Sequence, residues 1–310
     1  MLSRVAESLY WIGRYVERSE NTARLLNVNY YATLEAAGVV SRQWSPLLSI
    51  SGSEASFREQ RGRADARSVP SWLAFDRGNP GSITSSVARA RENARGLRDR
   101  IPSEMWEAVN RSYLSLCFQD DSVLDRDGLH EYCVAAREAS HLFFGIAFAT
   151  LPRDEGWSFL RAGQILERGD NTLRLLQVRY KQKTGDLPQV AVHNHRWVAV
   201  LKSASAYEAY QKRRHAGLDP RTIAEFLLLD PDFPRSVRHA AKNLQETLEQ
   251  IGKSRPEANA GLLKAASWLY ARLQHADIDD ILTREEPGLE TLLNEFNTLG
   301  HAIHEAYFVV

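Results

Sequence analysis

Residues 9–30 read LYWIGRYVERSENTARLLNVNY, and residues 159–180 read FLRAGQILERGDNTLRLLQVRY. The two segments lie 150 residues apart and are identical at ten of their 22 aligned positions. The identical pairs are Gly13/Gly163, Glu17/Glu167, Arg18/Arg168, Asn21/Asn171, Thr22/Thr172, Arg24/Arg174, Leu25/Leu175, Leu26/Leu176, Val28/Val178 and Tyr30/Tyr180. An internal repeat decides the architecture of a chain, because each copy is expected to form the same structural unit.

Two weaker blocks extend the repeat in the same order. The first block has pairs 153 residues apart, namely Trp44/Trp197, Leu48/Leu201 and Phe57/Tyr210. The second block has pairs 154 residues apart, namely Asp76/Asp230, Pro80/Pro234, Ser82/Ser236 and Ile83/Val237. We therefore predict a first helical half over residues 1–150 and a second over 151–310, packed as one compact unit.

The hydrophobic pattern is helical nearly everywhere, and no stretch of useful length alternates with the period of two that a strand requires. Helices are predicted over residues 3–36, 44–60, 82–99, 103 onward, 128–150, 156–183, 193–215, 220–229, 235–252, 257–281 and 286–307. Ser82 is expected to cap the helix that follows it. The predicted fold class is all-α, with two helical bundle halves packed together and no sheet.

The amino-acid composition limits the classes of molecule that the protein is expected to bind. The 310 residues include 39 basic and 39 acidic side chains, and this balance argues against nonspecific nucleic-acid binding and against a charged membrane surface. No apolar window is long enough for a transmembrane helix, and the N-terminus lacks the pattern of a signal peptide, so we expect a cytoplasmic protein. Cys117 and Cys133 lack metal-ligand spacing and are expected to be buried thiols.

One face of the repeated segment is polar and unchanged between the copies. Helical geometry places Gly13, Glu17, Asn21, Arg24 and Val28 on this face, and all five are identical in the second copy. The opposite, apolar face has changed instead, for example at the pairs Ile12/Ala162, Tyr15/Ile165 and Ala23/Leu173. A solvated polar face normally changes most freely, so this face must be constrained.

Two explanations of that constraint remain open. In the first, Glu17, Asn21 and Arg24 form a buried polar network, because buried charges are costly unless they are paired and hydrogen-bonded. In the second, the polar faces of the two copies, which we call the stripes, face each other or a shared cleft and bind a ligand. A Glu beside an Arg suits a zwitterion, since the guanidinium group forms a bidentate fork with a carboxylate.

These motifs together resemble the Alpha-E family of bacterial helical domains, which is named for its fold and its Glu-Arg motif. The resemblance covers essentially the whole chain. It rests on Glu17-Arg18, Glu167-Arg168, Phe75-Asp76, residues 79–83 (NPGSI), residues 90–95 (ARENAR), residues 104–107 (EMWE), Asn110, residues 233–237 (FPRSV) and residues 306–308 (AYF).

The resemblance implies a system that makes or modifies a peptide or amide bond. Family members are similar to partners of circularly permuted ATP-grasp ligases and of transglutaminase-like proteases. It therefore implies such partners here, with ATP and Mg²⁺ bound by the ligase and no cofactor bound by this chain alone. The candidate substrate-binding residues are Arg18, Asn21, Arg24, Arg168, Asn171, Arg174, Arg91, Glu92, Asn93 and Arg95.

The second polar cluster, at residues 91–95, has its own alternative. Arg91 and Arg95 are four residues apart on one helix face, where they could hold an anionic group. Glu92 and Asn93 lie beside them, and the whole cluster is equally consistent with a solvated, ion-paired helix surface.

Other motifs are absent or weak. No Gly-rich phosphate loop is present, so ATP binding by a Walker-type site is not expected in this chain. No metal is expected either, because His301, His304 and Glu305 lack the paired spacing of a di-iron bundle. Three functions remain: a helical subunit of a ligase, a noncatalytic scaffold or protein-interaction module, and an enzyme that uses Glu17 or Glu167 as general base.

Overall fold

The computed structural model describes residues 1–35, 44–126, 128–181, 190–213, 217–283 and 288–309. Within these ranges the regular structure is entirely helical, which confirms the predicted all-α class. The α-helices are α1 (Ser3–Glu35), α2 (Ser45–Ile50), α3 (Glu54–Arg61), α4 (Ser68–Pro70), α5 (Ile83–Arg95), α6 (Ser103–Leu116), α7 (Leu129–Thr150), α8 (Glu155–Lys181), α9 (Val190–Ser203), α10 (Tyr207–Arg213), α11 (Pro220–Leu229), α12 (Val237–Gly252), α13 (Pro256–His275), α14 (Ile278–Thr283) and α15 (Leu289–Tyr307). A π-helical turn, Ser71–Phe75, follows α4, and a 3₁₀ turn, Asp121–Arg126, precedes α7.

The chain divides into two compact units. The N-terminal unit comprises residues 8–164, and the C-terminal unit comprises residues 1–7 with residues 165–310. In the N-terminal unit α5 packs against α6, and α6 packs against α7. In the C-terminal unit α12 packs against α13, and α13 packs against α15. The same succession of packed helices therefore occurs in each unit.

Aligned positions of the two repeats share an unusual turn. Gly52 between α2 and α3 has φ 68°, and Ser205 between α9 and α10 has φ 54°. The next N–H group, of Ser53 or of Ala206, donates to a carbonyl five residues earlier in each case, at 2.9 and 2.7 Å. Positive φ favours glycine, so Ser205 holds a conformation that costs a non-glycine residue some strain.

This turn corrects two predicted helices. The single helix expected over residues 193–215 is wrong, because the chain leaves helical geometry at Ser205 and restarts at Tyr207. The single helix expected over residues 44–60 is likewise two helices separated at Gly52. The glycine at the aligned position was the available signal for the break in the second half.

A third predicted helix, over residues 257–281, is also wrong. Helix α13 ends before Ala276, whose backbone is extended, and α14 begins at Ile278. The carboxylate of Asp277 accepts a hydrogen bond from the N–H of Asp279 at 2.9 Å, which satisfies a free donor at the start of α14. The predicted helix ends at residues 36, 183 and 215, and the predicted start at 286, lie outside the described residues.

The predicted cap at Ser82 is confirmed and recurs at the paired position. The Ser82 hydroxyl accepts a hydrogen bond from the N–H of Ser85 at 3.1 Å. The Ser236 hydroxyl accepts from the N–H of His239 at 3.0 Å, at the start of α12. Each cap satisfies a backbone donor that the first turn of a helix leaves free.

Candidate functional site

The middle of helix α1 is buried on both its apolar and its polar face. Its apolar residues Ile12, Ala23 and Leu26 have essentially no exposed surface, and Glu17 and Asn21 on the opposite side are buried as well. The first explanation requires Glu17, Asn21 and Arg24 to be buried, and all three are. Burial constrains the polar face of α1, since a buried polar group requires partners that few other residues can replace.

The crossing of α1 and α8 depends on two glycines. A Cβ atom on Gly13 would lie 2.1 Å from the carbonyl oxygen of Leu160, and one on Gly163 would lie 2.0 Å from that of Tyr10. Real Cβ atoms do not approach other atoms so closely, so each glycine allows one helix backbone to touch the other. Both glycines belong to the unchanged stripe, and this contact is the physical reason for their identity.

The crossing also brings a partner to Glu17. The side-chain amide of Gln164, one residue after Gly163, donates a hydrogen bond to the Glu17 carboxylate at 3.2 Å. Gln164 is buried too, and its amide oxygen accepts a hydrogen bond from Arg161. Sequence reasoning missed Gln164, because position 14 of the first copy is Arg14 and the pair is not part of the repeat.

A buried ion pair follows one turn further along α1. A guanidinium nitrogen of Arg24 lies 2.5 Å from the carboxylate of Glu20, and only 10% of the Arg24 side chain and 1% of the Glu20 side chain are exposed. A ring nitrogen of His141 on α7 lies 3.3 Å from the same carboxylate oxygen. The charge of Arg24 is thus balanced inside the protein. His141 was also missed, since nothing in its sequence context relates α7 to α1.

The same pair occurs in the second copy with more exposure. Nε of Arg174 on α8 donates to the Asp170 carboxylate at 2.7 Å, with the i, i+4 spacing of Glu20 and Arg24. Here 28% of the Arg174 side chain and 14% of the Asp170 side chain are exposed. The second oxygen of Asp170, Oδ1, is buried and has no hydrogen-bond donor among the described residues. Arg174 in the second copy is therefore partly accessible, whereas Arg24 at the aligned position of the first copy is enclosed.

The neighbours of Arg174 on α8 follow the same trend. Glu167 is buried, whereas Arg168 and Asn171 are half-buried. The Thr172 hydroxyl donates to the backbone carbonyl of Arg235 at 2.9 Å, which ties α8 to the start of α12. Gly169 lies against the ring of Phe296, where a Cβ atom would approach to 2.5 Å. These contacts fix the position of α8 within the C-terminal unit.

The cluster at residues 91–95 lies on α5 and is engaged with its own helix and with α6. Arg91 donates from Nε to Asn110 at 2.8 Å, and its guanidinium carbon lies 4.5 Å from the ring centre of Tyr113. Arg91 and Arg95 both pair with the exposed carboxylate of Glu92, at 3.0 and 2.7 Å. Asn93 is half-buried. Both arginines therefore share one internal anion in this structure.

The remaining candidates give no sign of metal or thiol chemistry. Within the described ranges, no three His, Cys, Asp or Glu side chains lie close enough to hold a metal ion. Cys117 and Cys133 are both buried, as expected, and burial raises the pKa of their thiols to about 11 and about 12. None of the described helices combines the length and the apolar character needed to cross a membrane.

Comparisons with known proteins agree with this architecture. The model of the Alpha-E family, described as "A predicted alpha-helical domain with a conserved ER motif", matches residues 1–308. An uncharacterized protein of Mycobacterium bovis is 28% identical over 321 aligned residues, covering 96% of this chain and 35% of that protein. Two uncharacterized proteins from strains of Mycobacterium tuberculosis are 28% and 27% identical with the same coverage. No solved structure matches the chain significantly.

Proposed function

The chain belongs to the Alpha-E family, and from that premise we propose that it is the helical subunit of an ATP-grasp ligase system that forms or modifies a peptide or amide bond. The role proposed for this chain is to bind the acceptor substrate. In this proposal ATP and Mg²⁺ bind to the partner ligase, which is of the circularly permuted type, and a transglutaminase-like protein is a second partner of the same system. The chain spans 35% of the length of its mycobacterial relatives, which leaves ample room in those proteins for further domains.

One observation supports this role most: the partly exposed Asp170–Arg174 pair on α8. Asp170 holds Nε of Arg174, so the orientation of the guanidinium plane is restricted while the rest of the side chain is partly exposed. A guanidinium group held in this way suits a planar carboxylate, because two parallel N–H donors match its two oxygens. Asn171 lies one turn earlier on the same face and can donate a further hydrogen bond.

The Asp170 carboxylate extends the proposal to the amine of the substrate. It pairs with Arg174 and 14% of its side chain is exposed, so an ammonium group that approaches the accessible side of the pair meets a negative charge. The proposed ligand is therefore a zwitterion, such as an amino acid or the terminus of a peptide, with its carboxylate on Arg174 and its ammonium on Asp170.

In this proposal the two copies of the stripe have different roles. Glu17 and Arg24 on α1 stabilise the fold, because both are buried and hydrogen-bonded within the N-terminal unit. Arg168, Asn171 and Arg174 on α8 contact the substrate. An enzyme that uses Glu17 as general base is disfavoured, since that carboxylate has no exposed surface with which to reach a substrate.

A noncatalytic scaffold is the second candidate function. It is favoured by the enclosed Glu20–Arg24 pair and by the internal pairing of Arg91 and Arg95 with Glu92. If the protein is a scaffold, both stripes and the α5 cluster only stabilise helix packing. The two functions differ in whether substitutions at the partly exposed residues of the α8 stripe change the reaction.

Reconstitution of the ligase with this chain distinguishes them. The measurements are product mass and ATP turnover, with wild-type chain or with Arg174→Lys, which keeps the charge and removes the planar fork. Arg221→Lys is the matched control, because Arg221 also pairs with an aspartate, Asp279, on the surface of the same unit. We expect Arg174→Lys to raise KM for the acceptor at least tenfold, with complex formation and the control unchanged. Equal turnover with Arg174→Lys, or full activity without this chain, would leave the scaffold as the better account.

A further inference from the structure

A long groove runs along the packed helices α13 and α15 on the surface of the C-terminal unit. The two helices are antiparallel, since the Tyr307 hydroxyl donates to Asn259 at 2.9 Å near one end and Arg272 donates to Glu295 at 2.7 Å near the other. The groove has a volume of about 990 Å³. Its lining on α13 runs from Ala258 to His275, which corresponds to about 25 Å of helix.

The lining is apolar and unusually small. Alanines, one glycine and a few leucines make up most of the walls, and Trp268 stands at the rim with 69% of its surface exposed. Small residues on facing helices permit close approach of a third backbone, whereas an exposed tryptophan provides a large surface for contact. The groove therefore has the shape that an amphipathic helix requires.

Gly261 adds to the room in this groove. A glycine inside a helix is destabilising relative to alanine, so it normally has a packing reason. Gly13, Gly163 and Gly169 have such reasons, because a Cβ atom on any of them would clash with another helix. A Cβ atom on Gly261 would meet nothing within 4 Å. Gly145 on α7 shares this property, so the glycine alone does not indicate a partner, but at Gly261 the open space lies in the groove and leaves room for a third backbone.

The charges at the two ends of the groove indicate what the incoming helix must carry. At one end, Arg272 and Glu295 neutralise each other. At the other end, Glu305 lines the groove and forms no ion pair with any described residue. A basic side chain on the incoming helix would complement Glu305. The N-terminus of the incoming helix, which is the positive end of its dipole, would also be favoured beside Glu305.

We propose that this groove binds an amphipathic helix of about five turns from a partner protein, with small and medium apolar side chains on one face and a Lys or Arg over Glu305. A second copy of this chain is a poorer occupant. Fifteen residues line the groove, which is fewer than the 20–30 per partner in a standard stable interface. The mycobacterial relatives are about three times longer than their match to this chain, so they contain enough additional sequence to supply such a helix.

This inference concerns α13 and α15 and does not depend on the proposed substrate role of α8. The test uses a displayed library of random 20-residue peptides, selected for binding to the whole chain. Enriched peptides are then synthesised, and their affinity is measured by fluorescence anisotropy. Gly261→Leu is the blocking variant, because it adds a side chain to the groove at a position where nothing lies within 4 Å of Cβ. Gly145→Leu is its matched control, since Gly145 is an exposed glycine of α7 with nothing within 4 Å of its Cβ position.

We expect enriched peptides with apolar residues at helical spacing and a basic residue near one end. Their dissociation constants should rise at least tenfold with Gly261→Leu or Trp268→Ala and stay within twofold with Gly145→Leu. Glu305→Lys should weaken binding, and replacing the basic residue of the peptide by Glu should restore it. Binders without helical spacing, or equal affinity for the Gly261→Leu variant, would overturn the proposal. Concentration-dependent dimerisation that Gly261→Leu abolishes would overturn it as well, because the groove would then hold a second copy.

Discussion

Gly13 on α1 and Gly163 on α8 each lie directly against the backbone of the other helix. The Cβ position of Gly13 is 2.1 Å from the carbonyl oxygen of Leu160, and that of Gly163 is 2.0 Å from the carbonyl oxygen of Tyr10. The neighbours are backbone atoms, which cannot move aside as a flexible side chain can. The crossing therefore depends on two glycines that occupy the same position in the two repeats.

The first prediction concerns this crossing. Gly13→Ala and Gly163→Ala should each reduce the free energy of unfolding by about 1–3 kcal/mol, or more where the helices cannot separate, because an added methyl group overpacks the contact. Urea denaturation followed by circular dichroism measures the effect. Gly261→Ala is the control, since nothing lies near its Cβ position and alanine favours helices by about 0.5–1 kcal/mol. Equal stability of all three variants would contradict the close crossing.

The helical fold was predictable from the sequence because two copies of the same segment provide two separate views of one structural unit. Helix order, the Ser82 cap and the burial of the α1 stripe all followed from spacing and from residues identical in both copies. The wrong helix predictions occur where the backbone conformation of one residue ends a helix. Nothing in Ser205 itself signals a positive φ, and its alignment with Gly52 was the only available indication. The break at Ala276 likewise involves no glycine or proline.

The partners of the stripe were not predictable for a different reason. Gln164 and His141 reach Glu17 and Glu20 through tertiary packing, and neither residue belongs to an identical pair of the repeat. The sequence also could not reveal that equal pairs differ in exposure. Glu20–Arg24 and Asp170–Arg174 have the same spacing and chemistry, and only their neighbours in each unit make one enclosed and the other accessible.

The second prediction concerns Glu17. Glu17→Ala should reduce the free energy of unfolding by about 1–3 kcal/mol, because it leaves the buried amide of Gln164 without its acceptor. Glu17→Gln should have a smaller effect, since an amide oxygen can still accept that hydrogen bond. Thermal melts and urea titrations of both variants compare the two. If both variants matched the wild type, the contact would contribute nothing to stability.

The third prediction compares the two arginines. Arg24→Ala removes the guanidinium group that pairs with the buried carboxylate of Glu20, and removing one partner of a buried ion pair costs about 3–5 kcal/mol. Arg174→Ala should cost clearly less, because Asp170 and Arg174 are partly exposed and water can replace the lost partner. The measurement is the difference between the two urea-unfolding free energies. A larger loss for Arg174→Ala would reverse the assignment of a structural role to α1 and an accessible role to α8.

The fourth prediction concerns pH and the two thiols. A thiol in the unfolded chain titrates near 9.0, whereas burial raises the pKa of Cys117 to about 11 and that of Cys133 to about 12 in the folded protein. Below pH 9 both states keep their protons, so the thiols do not change stability. Between pH 9 and the folded-state values, the unfolded chain binds fewer protons than the folded chain. The free energy of unfolding must then fall, by up to roughly 1.4 kcal/mol per pH unit for each thiol.

Replacing both cysteines isolates this contribution from that of the tyrosines, which titrate in the same range. The measurement is the urea midpoint of the wild type and of Cys117→Ala/Cys133→Ala at pH 8, 9, 10 and 10.5. We expect the wild type to lose stability more steeply above pH 9, because only its unfolded state can release thiol protons there. Native protein at pH 8 should also react slowly with a thiol reagent and expose two thiols in denaturant, since both side chains are buried. Parallel pH profiles of the two proteins would mean that the thiols titrate equally in both states, which requires water to reach Cys133 in the folded protein.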